Sequence, residues 1–377
     1  MFRSFFYSKT NFYLADSSIE FYRHVEEKGI DLGMKWIGYL WLFNEEDFKK
    51  TEKILKEMEK HGGKFIVYDK NELKEKMEIN VNAAETNEGK IMNLSNIDIG
   101  LFVPKAGKID VEKLVAFYES EFRRINGEIR YGIEAKRLIV KPRKTLEIPG
   151  EPYFWQESTV TGVETNRGII EADKIIIAAG VWSSKLLDPI GIDSHSKPKK
   201  RQIFVIKADE NKLLQLLKTT GFNKYNCMPF TILPKPRIFV KPDLEEQSFW
   251  IGYADDFNRA YKLEEDPQPE ENYYRYGIYP VLSLYLPQFQ GKYPINAWAG
   301  QYAINTLDQQ PVIFEVNNLI IVGAASGSGI MKADAIGRIA AALYYGEKEA
   351  ELFGEKWFKV SDLGIENRRI EREKFVI

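Results

Sequence analysis

Residues 319–345 hold the feature that most limits what this chain can fold into. Leu319-Ile320-Ile321-Val322 is a short apolar run of strand type, and Gly323-Ala324-Ala325-Ser326-Gly327-Ser328-Gly329 then replaces it with small residues. Ile336, Ile339, Ala340 and Leu343 follow at helical spacing, so the order is strand, tight turn, helix. Glycines let the backbone come close to a bound group, and the start of a helix presents unpaired amides with partial positive charge, suited to an anion. A second segment repeats the pattern: Lys174-Ile175-Ile176-Ile177 runs into Ala178-Ala179-Gly180 and then Val181-Trp182-Ser183. Strand ends that carry glycine and alanine are where α/β sheets hold nucleotides.

The rest of the chain supplies partners for these strands. Asp16-Ser17-Ser18 reads as the start of a helix carrying Ile19, Phe21, Tyr22 and Val25 and ending near Gly29. A strand is expected at residues 37–43, a surface helix at 45–60 and a short strand at 64–68. Ile109-Asp110 opens another helix, with Val111, Leu114, Val115, Tyr118 and Phe122 on one face and Asn126-Gly127 at its end. Residues 128–140 read as strand, and residues 159–172 as a hairpin turning at Asn166-Arg167-Gly168. Between 202 and 304 the texture changes to alternating strands at 203–207, 237–241, 249–253 and 295–299, separated by helical stretches, as in an antiparallel sheet with helices.

Composition narrows the chemistry. With 377 residues, 44% of them hydrophobic, the chain can bury one large core or two medium ones. A net charge of -2 with scattered lysines and glutamates gives no footprint for nucleic acid. One cysteine and no long apolar run imply a cytoplasmic protein without a disulfide or a membrane span. The three histidines and Cys227 stand at no ligand spacing, so no metal site and no Cys/His nucleophile is expected. His24 and His195 read as surface residues, Cys227 as an apolar filler and Trp298 as packing.

Taken in order, the two turns resemble the FAD-dependent amino-acid oxidoreductases, the family of D-amino-acid oxidase, glycine oxidase and sarcosine oxidase. Further matches are Val103-Pro104-Lys105-Ala106-Gly107-Lys108-Ile109-Asp110, Pro198-Lys199-Lys200-Arg201-Gln202, Ile251-Gly252-Tyr253-Ala254-Asp255 and Asn305-Thr306-Leu307-Asp308-Gln309-Gln310-Pro311-Val312-Ile313. The wording of residues 326–338 is most similar to the archaeal dye-linked L-proline dehydrogenases. The resemblance implies an α/β (α+β) fold. A Rossmann-like FAD-binding unit would take residues 1–36, 98–200 and 305–377, and an antiparallel-sheet substrate unit residues 37–97 and 201–304. It implies FAD held by Arg3, Ser4, Ala135, Ala178, Ala179, Gly180, Trp182, Asp308, Gly327, Ser328, Gly329, Ile330, Met331 and Lys332. It implies Lys332, Tyr253 and Tyr302 as catalytic candidates and Gln301, Met331 and Arg201 as substrate contacts, although a strand tyrosine is as readily core and a lysine after a glycine turn as readily solvated.

Family members begin with a strand, a G-x-G-x-x-G turn, a helix and a second strand, whereas Phe2-Arg3-Ser4-Phe5-Phe6 resembles the loop that follows that unit. The unit ordinarily seats the pyrophosphate on a helix start. Two explanations stand: Met1 is an internal methionine of a longer chain, or this is a shortened paralogue. The expected activity is oxidation of the C–N bond of a small amino or imino acid of the proline, glycine or sarcosine type. Electrons would pass to oxygen, a quinone or a partner flavoprotein within a homo- or hetero-oligomer. Such chemistry needs no histidine, because the cofactor carries the redox step and the protein orients the substrate. The alternative is a flavin-poor accessory or scaffold subunit.

Overall fold

The alternating strands between positions 39 and 304 join into one eight-stranded sheet in a computed structural model that describes residues 1–375. Its order is Asn296–Ile304, Lys197–Lys207, Ser248–Gly252, Phe239–Asp243, Phe230–Ile232, Tyr39–Phe43, Ile99–Val103 and Ile66–Asp69. Every pairing is antiparallel except that of Phe230–Ile232 with Tyr39–Phe43. Period-two alternation gives the sheet two unlike faces. Leu40, Phe102, Phe204, Val240, Phe249 and Ile251 point to one face, where Leu213, Leu217 and Leu282 from short helices cover them. Each such side chain stabilises the fold by about 1.5–3 kcal/mol on burial. A one-residue slip would exchange the faces, so this covered side fixes the register. The other face carries Tyr39, Phe230, Phe239, Trp250, Trp298 and Tyr302.

Two boundaries differ from the sequence reading. Ile99–Val103 pairs within the large sheet although it falls in the stretch 98–200 assigned to the other unit, and the strand Lys197–Lys207 runs across the boundary at residue 200. Strands form where partners exist, and composition does not show the partner.

The second layer system is built on Leu319–Gly323, flanked by Val312–Val316 (antiparallel) and Ile175–Ile177 (parallel). Ile320 and Ile313 face the helix Ala333–Tyr344 through Ala335 and Ile339. Leu319, Ile321, Val312 and Phe314 face the opposite way, onto Leu138 and Val160 of the three-stranded hairpin sheet Ala135–Pro142, Ser158–Thr165 and Gly168–Glu171. Coverage on both sides explains why this strand is uniformly apolar.

The first helix corrects the expected start at Asp16. It spans Lys9–Glu27, and the Ser8 hydroxyl caps it by accepting from the Asn11 amide at 3.2 Å. Asp16, Ser17 and Ser18 sit mid-helix because tertiary partners satisfy them. The Ser17 hydroxyl donates to the Phe353 carbonyl, and the Ser18 hydroxyl accepts from the Ala335 amide. The helix Val111–Arg124 forms with its cap at Asp110, yet of its anticipated apolar face only Leu114 is buried, while Val111, Val115 and Phe122 are exposed. Among the described residues no helix is long and apolar enough to cross a membrane.

Candidate functional site

Because Ile175–Ile177 and Leu319–Gly323 run parallel with Ile176 opposite Ile320, both small-residue turns leave the same end of the sheet. The first becomes the short turn Gly180–Trp182, with Ala178 and Gly180 exposed. The second is tied to the large sheet. The Ser326 amide donates to the Ala303 carbonyl at 2.9 Å, and Ala325 bridges to Ile304. Gly327 has φ +77°, and a Cβ there would stand 2.2 Å from the Tyr302 ring, so glycine is required by both backbone and neighbour.

Between this turn and the aromatic face of the large sheet lies a cavity of about 850 Å³. Tyr302, Trp298, Trp250, Phe239 and Tyr253 form its sheet side, and Gly327, Ser328, Ile330 and Met331 form the turn side. Arg3, Phe6 and Asn11 contribute from the N-terminal segment, and Glu373 from the C-terminal one. Tyr253 and Tyr302 both reach the cavity, and burial raises the pKa of each phenol.

The predicted site residues divide. Lys332 is fully buried one layer behind the wall; its ammonium donates to Asn11 Oδ1 and Ser328 Oγ, each at 2.6 Å, and lies 4.9 Å from the centre of the Phe6 ring. Burial lowers its pKa to about 7, with Arg3 adding in the same direction and Glu373 and Asp308 opposing. Arg201 lines the cavity but is held by Asp256 at 2.6 Å and by the Asp255 carbonyl at 3.0 Å, leaving its Nε unpaired. Ser4 is turned away, donating to Asp16, whose carboxylate also takes Lys105 and Lys356. Burial pushes Asp16 up, but these hydrogen bonds hold it at about 2.

Asp308 also faces elsewhere. It makes a buried bidentate pair with Arg368 at 2.7 and 2.9 Å and bonds Asn305 and the Gln310 amide. Gln301 lies on the face opposite the cavity, between Gly300 and Tyr302 in an alternating strand, and holds the Lys262 carbonyl and the Glu264 amide. Ala135 is exposed at the start of its strand, which has a register irregularity there.

A family model described as FAD dependent oxidoreductase (DAO) matches residues 1–343. The chain belongs to that family. It is 24% identical over 348 residues to FAD-dependent oxidoreductase domain-containing protein 1 of Xenopus laevis, a match covering 85% of this chain and 62% of that protein. Monomeric sarcosine oxidase of Bacillus sp. (strain B-0618) is 24% identical over 188 residues, 47% of this chain and 44% of the relative. The chain thus spans less than two thirds of the length of these two relatives. The fold is similar to that of L-proline dehydrogenase from P. horikoshii, with a TM-score of 0.70 at 20% identity, covering 92% of this chain and 82% of the other.

Members of the FAD-dependent oxidoreductase family take a cofactor with two halves, and the residues here fit one of them. For the ring half, Gly180 adopts φ +57° with nothing within 4 Å of where a Cβ would stand, which leaves room for a close approach. Arg3, packed 4.6 Å over Phe6 and 5.4 Å from Trp41, is buried with its Nη1 unpaired, a donor suited to an electron-rich carbonyl. For the phosphate half, the glycine turn that leads into the long helix Ala333–Tyr344 is already the wall of the cavity, and the turn after Ile175–Ile177 leads into no long helix. The helix that follows, Ser183–Leu187, has 5 residues. Ile175–Ile177 is itself an outer strand, with Ile176 49% exposed.

Sequence reading missed the cavity's other walls. Trp298, expected as packing, opens into the cavity, and Trp250, Phe239, Lys241, Phe6 and Asn11 were not singled out. The signal was present in the alternation: every second residue from Tyr302 and Arg201, and their cross-strand partners, share one face.

Proposed function

We propose that the chain is the catalytic part of a FAD-dependent oxidase or dehydrogenase acting on the C–N bond of a small amino or imino acid of the proline, glycine or sarcosine type. The observation that carries this reading is the meeting of the Ser326–Met331 turn with the Tyr302 face around one large, aromatic and cationic cavity. FAD, when bound, supplies the hydride acceptor. The chain's own residues bind and orient. Met331, Tyr253 and Tyr302 exclude water from the space between turn and sheet. Lys332 charges the turn from behind, attracting a substrate carboxylate while holding the turn to the first helix. Arg3, with its unpaired Nη1, would help to hold the ring half. Residues 1–36, most of 98–200, and 305–377 serve the cofactor, while 37–97 and 201–304 serve the substrate, with electrons leaving to oxygen, a quinone or a partner flavoprotein.

A second reading, a flavin-poor accessory subunit, is favoured by the open outer strand Ile175–Ile177. One experiment separates the two: equilibrate the purified protein with FAD, remove free cofactor, and mix anaerobically with proline, glycine and sarcosine in turn. Bleaching of the bound flavin by one of them is expected. Bound flavin that none of them bleaches contradicts the substrate class, and protein that stays colourless supports the second reading.

A further inference from the structure

The cavity holds a cation that the proposed reaction does not use. Lys241, on the strand Phe239–Asp243, lines the cavity with its ammonium 3.3 Å from the centre of the Trp250 ring, and Trp250 is its cross-strand partner. No carboxylate among the described residues pairs with it. The three acids that act on it electrostatically form no ion pair with it. Asp243 accepts from Lys108 and from the Glu245 and Glu246 amides, Glu245 is bound by both Lys35 and Lys108, and Glu246 is exposed with no ammonium on its carboxylate. Burial lowers the pKa of Lys241 to about 8, as expected of an ammonium that an anion has not yet compensated.

Its position sets the length of what it would meet. From Tyr302, under the turn, to Lys241 the ladder crosses three strands, or about 14 Å at about 4.8 Å each. By register Lys241 also lies six residues further along the sheet, about 20 Å at about 3.4 Å each, in the row of Val205 and Trp250, so the two positions stand about 24 Å apart. Past Arg201, the wall between is apolar and aromatic, formed by Trp298, Ile203, Phe239 and Trp250, and Phe230 and Tyr39 continue it on the strands beyond Lys241. A cation at the end of an apolar channel suits a ligand with a charged end and a greasy middle.

We propose that Lys241 is a specificity-determining residue that binds a second anionic group of the substrate. On the reading of the site given above, the substrate is then an amino or imino acid extended by an apolar segment that ends in a carboxylate. The test needs no turnover. Straight-chain α,ω-dicarboxylates of eight to eighteen carbons, and monocarboxylates of the same lengths, are titrated into the full protein at pH 7 by calorimetry or by quenching of tryptophan fluorescence. The longer dicarboxylates are expected to bind at least tenfold more tightly than the matching monocarboxylates. Lys241→Gln should abolish that advantage and Lys241→Arg should retain it, with thermal unfolding confirming that both variants are folded. Equal affinities for the two series, or an advantage that survives Lys241→Gln, overturns the proposal. Failure here leaves flavin bleaching by simple amino acids untouched, whereas failure of bleaching leaves this affinity ratio readable.

Discussion

The Lys332 ammonium lies 2.6 Å from both Asn11 Oδ1 and Ser328 Oγ, so one buried cation joins the small-residue turn to the first helix. Its folded pKa of about 7 lies below the value of 10.5 for an unburied lysine. Between these values the unfolded chain holds more protons, so stability rises with pH across this window, and the cost of burying the charge is fully present below pH 7. Lys332→Met removes that dependence. Urea unfolding at pH 6, 8 and 9.5 should therefore show wild type gaining on the variant by a few kcal/mol as pH rises; parallel curves would contradict this.

Asp308 and Arg368 form a buried pair, so the Asp308 carboxylate is engaged within the fold. Arg368→Met leaves a buried carboxylate without its counter-ion and should cost about 3–5 kcal/mol in denaturant unfolding. A cost under 1 kcal/mol accompanied by loss of FAD would place Asp308 at the cofactor.

Gly327→Ala should cost more than backbone strain alone. A left-handed alanine costs about 1–2 kcal/mol, and its methyl would also collide with the Tyr302 ring. In a Tyr302→Ala background the cost should fall to about 1–2 kcal/mol. An unchanged cost would mean that ring and turn are not in contact.

Asp16, held at about 2 by Lys105, Lys356 and Ser4, contributes stability that is present above pH 3.8 and lost as pH falls through 2. The gap between wild type and Asp16→Asn should be about 2 kcal/mol at pH 6 and close as the pH approaches 2, read from thermal unfolding.

Much of this molecule was legible in its residues, and the losses have physical causes. The helix Glu45–Lys60 forms where its charges and its apolar positions place it, and the hairpin turning at residues 166–168 forms as read. The first helix was misread at its start because Asp16-Ser17-Ser18 imitates a cap when its partners, Phe353 and Ala335, are more than 300 positions away. The turn after Leu319–Gly323 was recognisable because small residues after an apolar run have few other uses. Motif position did not show which way the Asp308 and Gln301 side chains face. One is consumed by Arg368 from a distant segment, and the other faces away by the parity of a strand whose length only the register reveals. Lys241 carried no motif, and its significance comes from the engagement of Asp243 and Glu245 by other lysines, which no single strand can show.

The central claim is that the face of the large sheet bearing Trp298 and Tyr302, under the Ser326–Met331 turn, receives the substrate. It is tested most directly by the anaerobic reduction of FAD-loaded protein by its best amino- or imino-acid substrate, comparing Trp298→Ala with Gln301→Ala. The two residues lie three positions apart on one strand and face opposite sides. Trp298→Ala should weaken the apparent substrate affinity at least tenfold, and Gln301→Ala should leave it within about twofold, since an exposed aromatic ring covered on binding contributes about 1.5–3 kcal/mol. A strong loss for Gln301→Ala with none for Trp298→Ala would contradict the account.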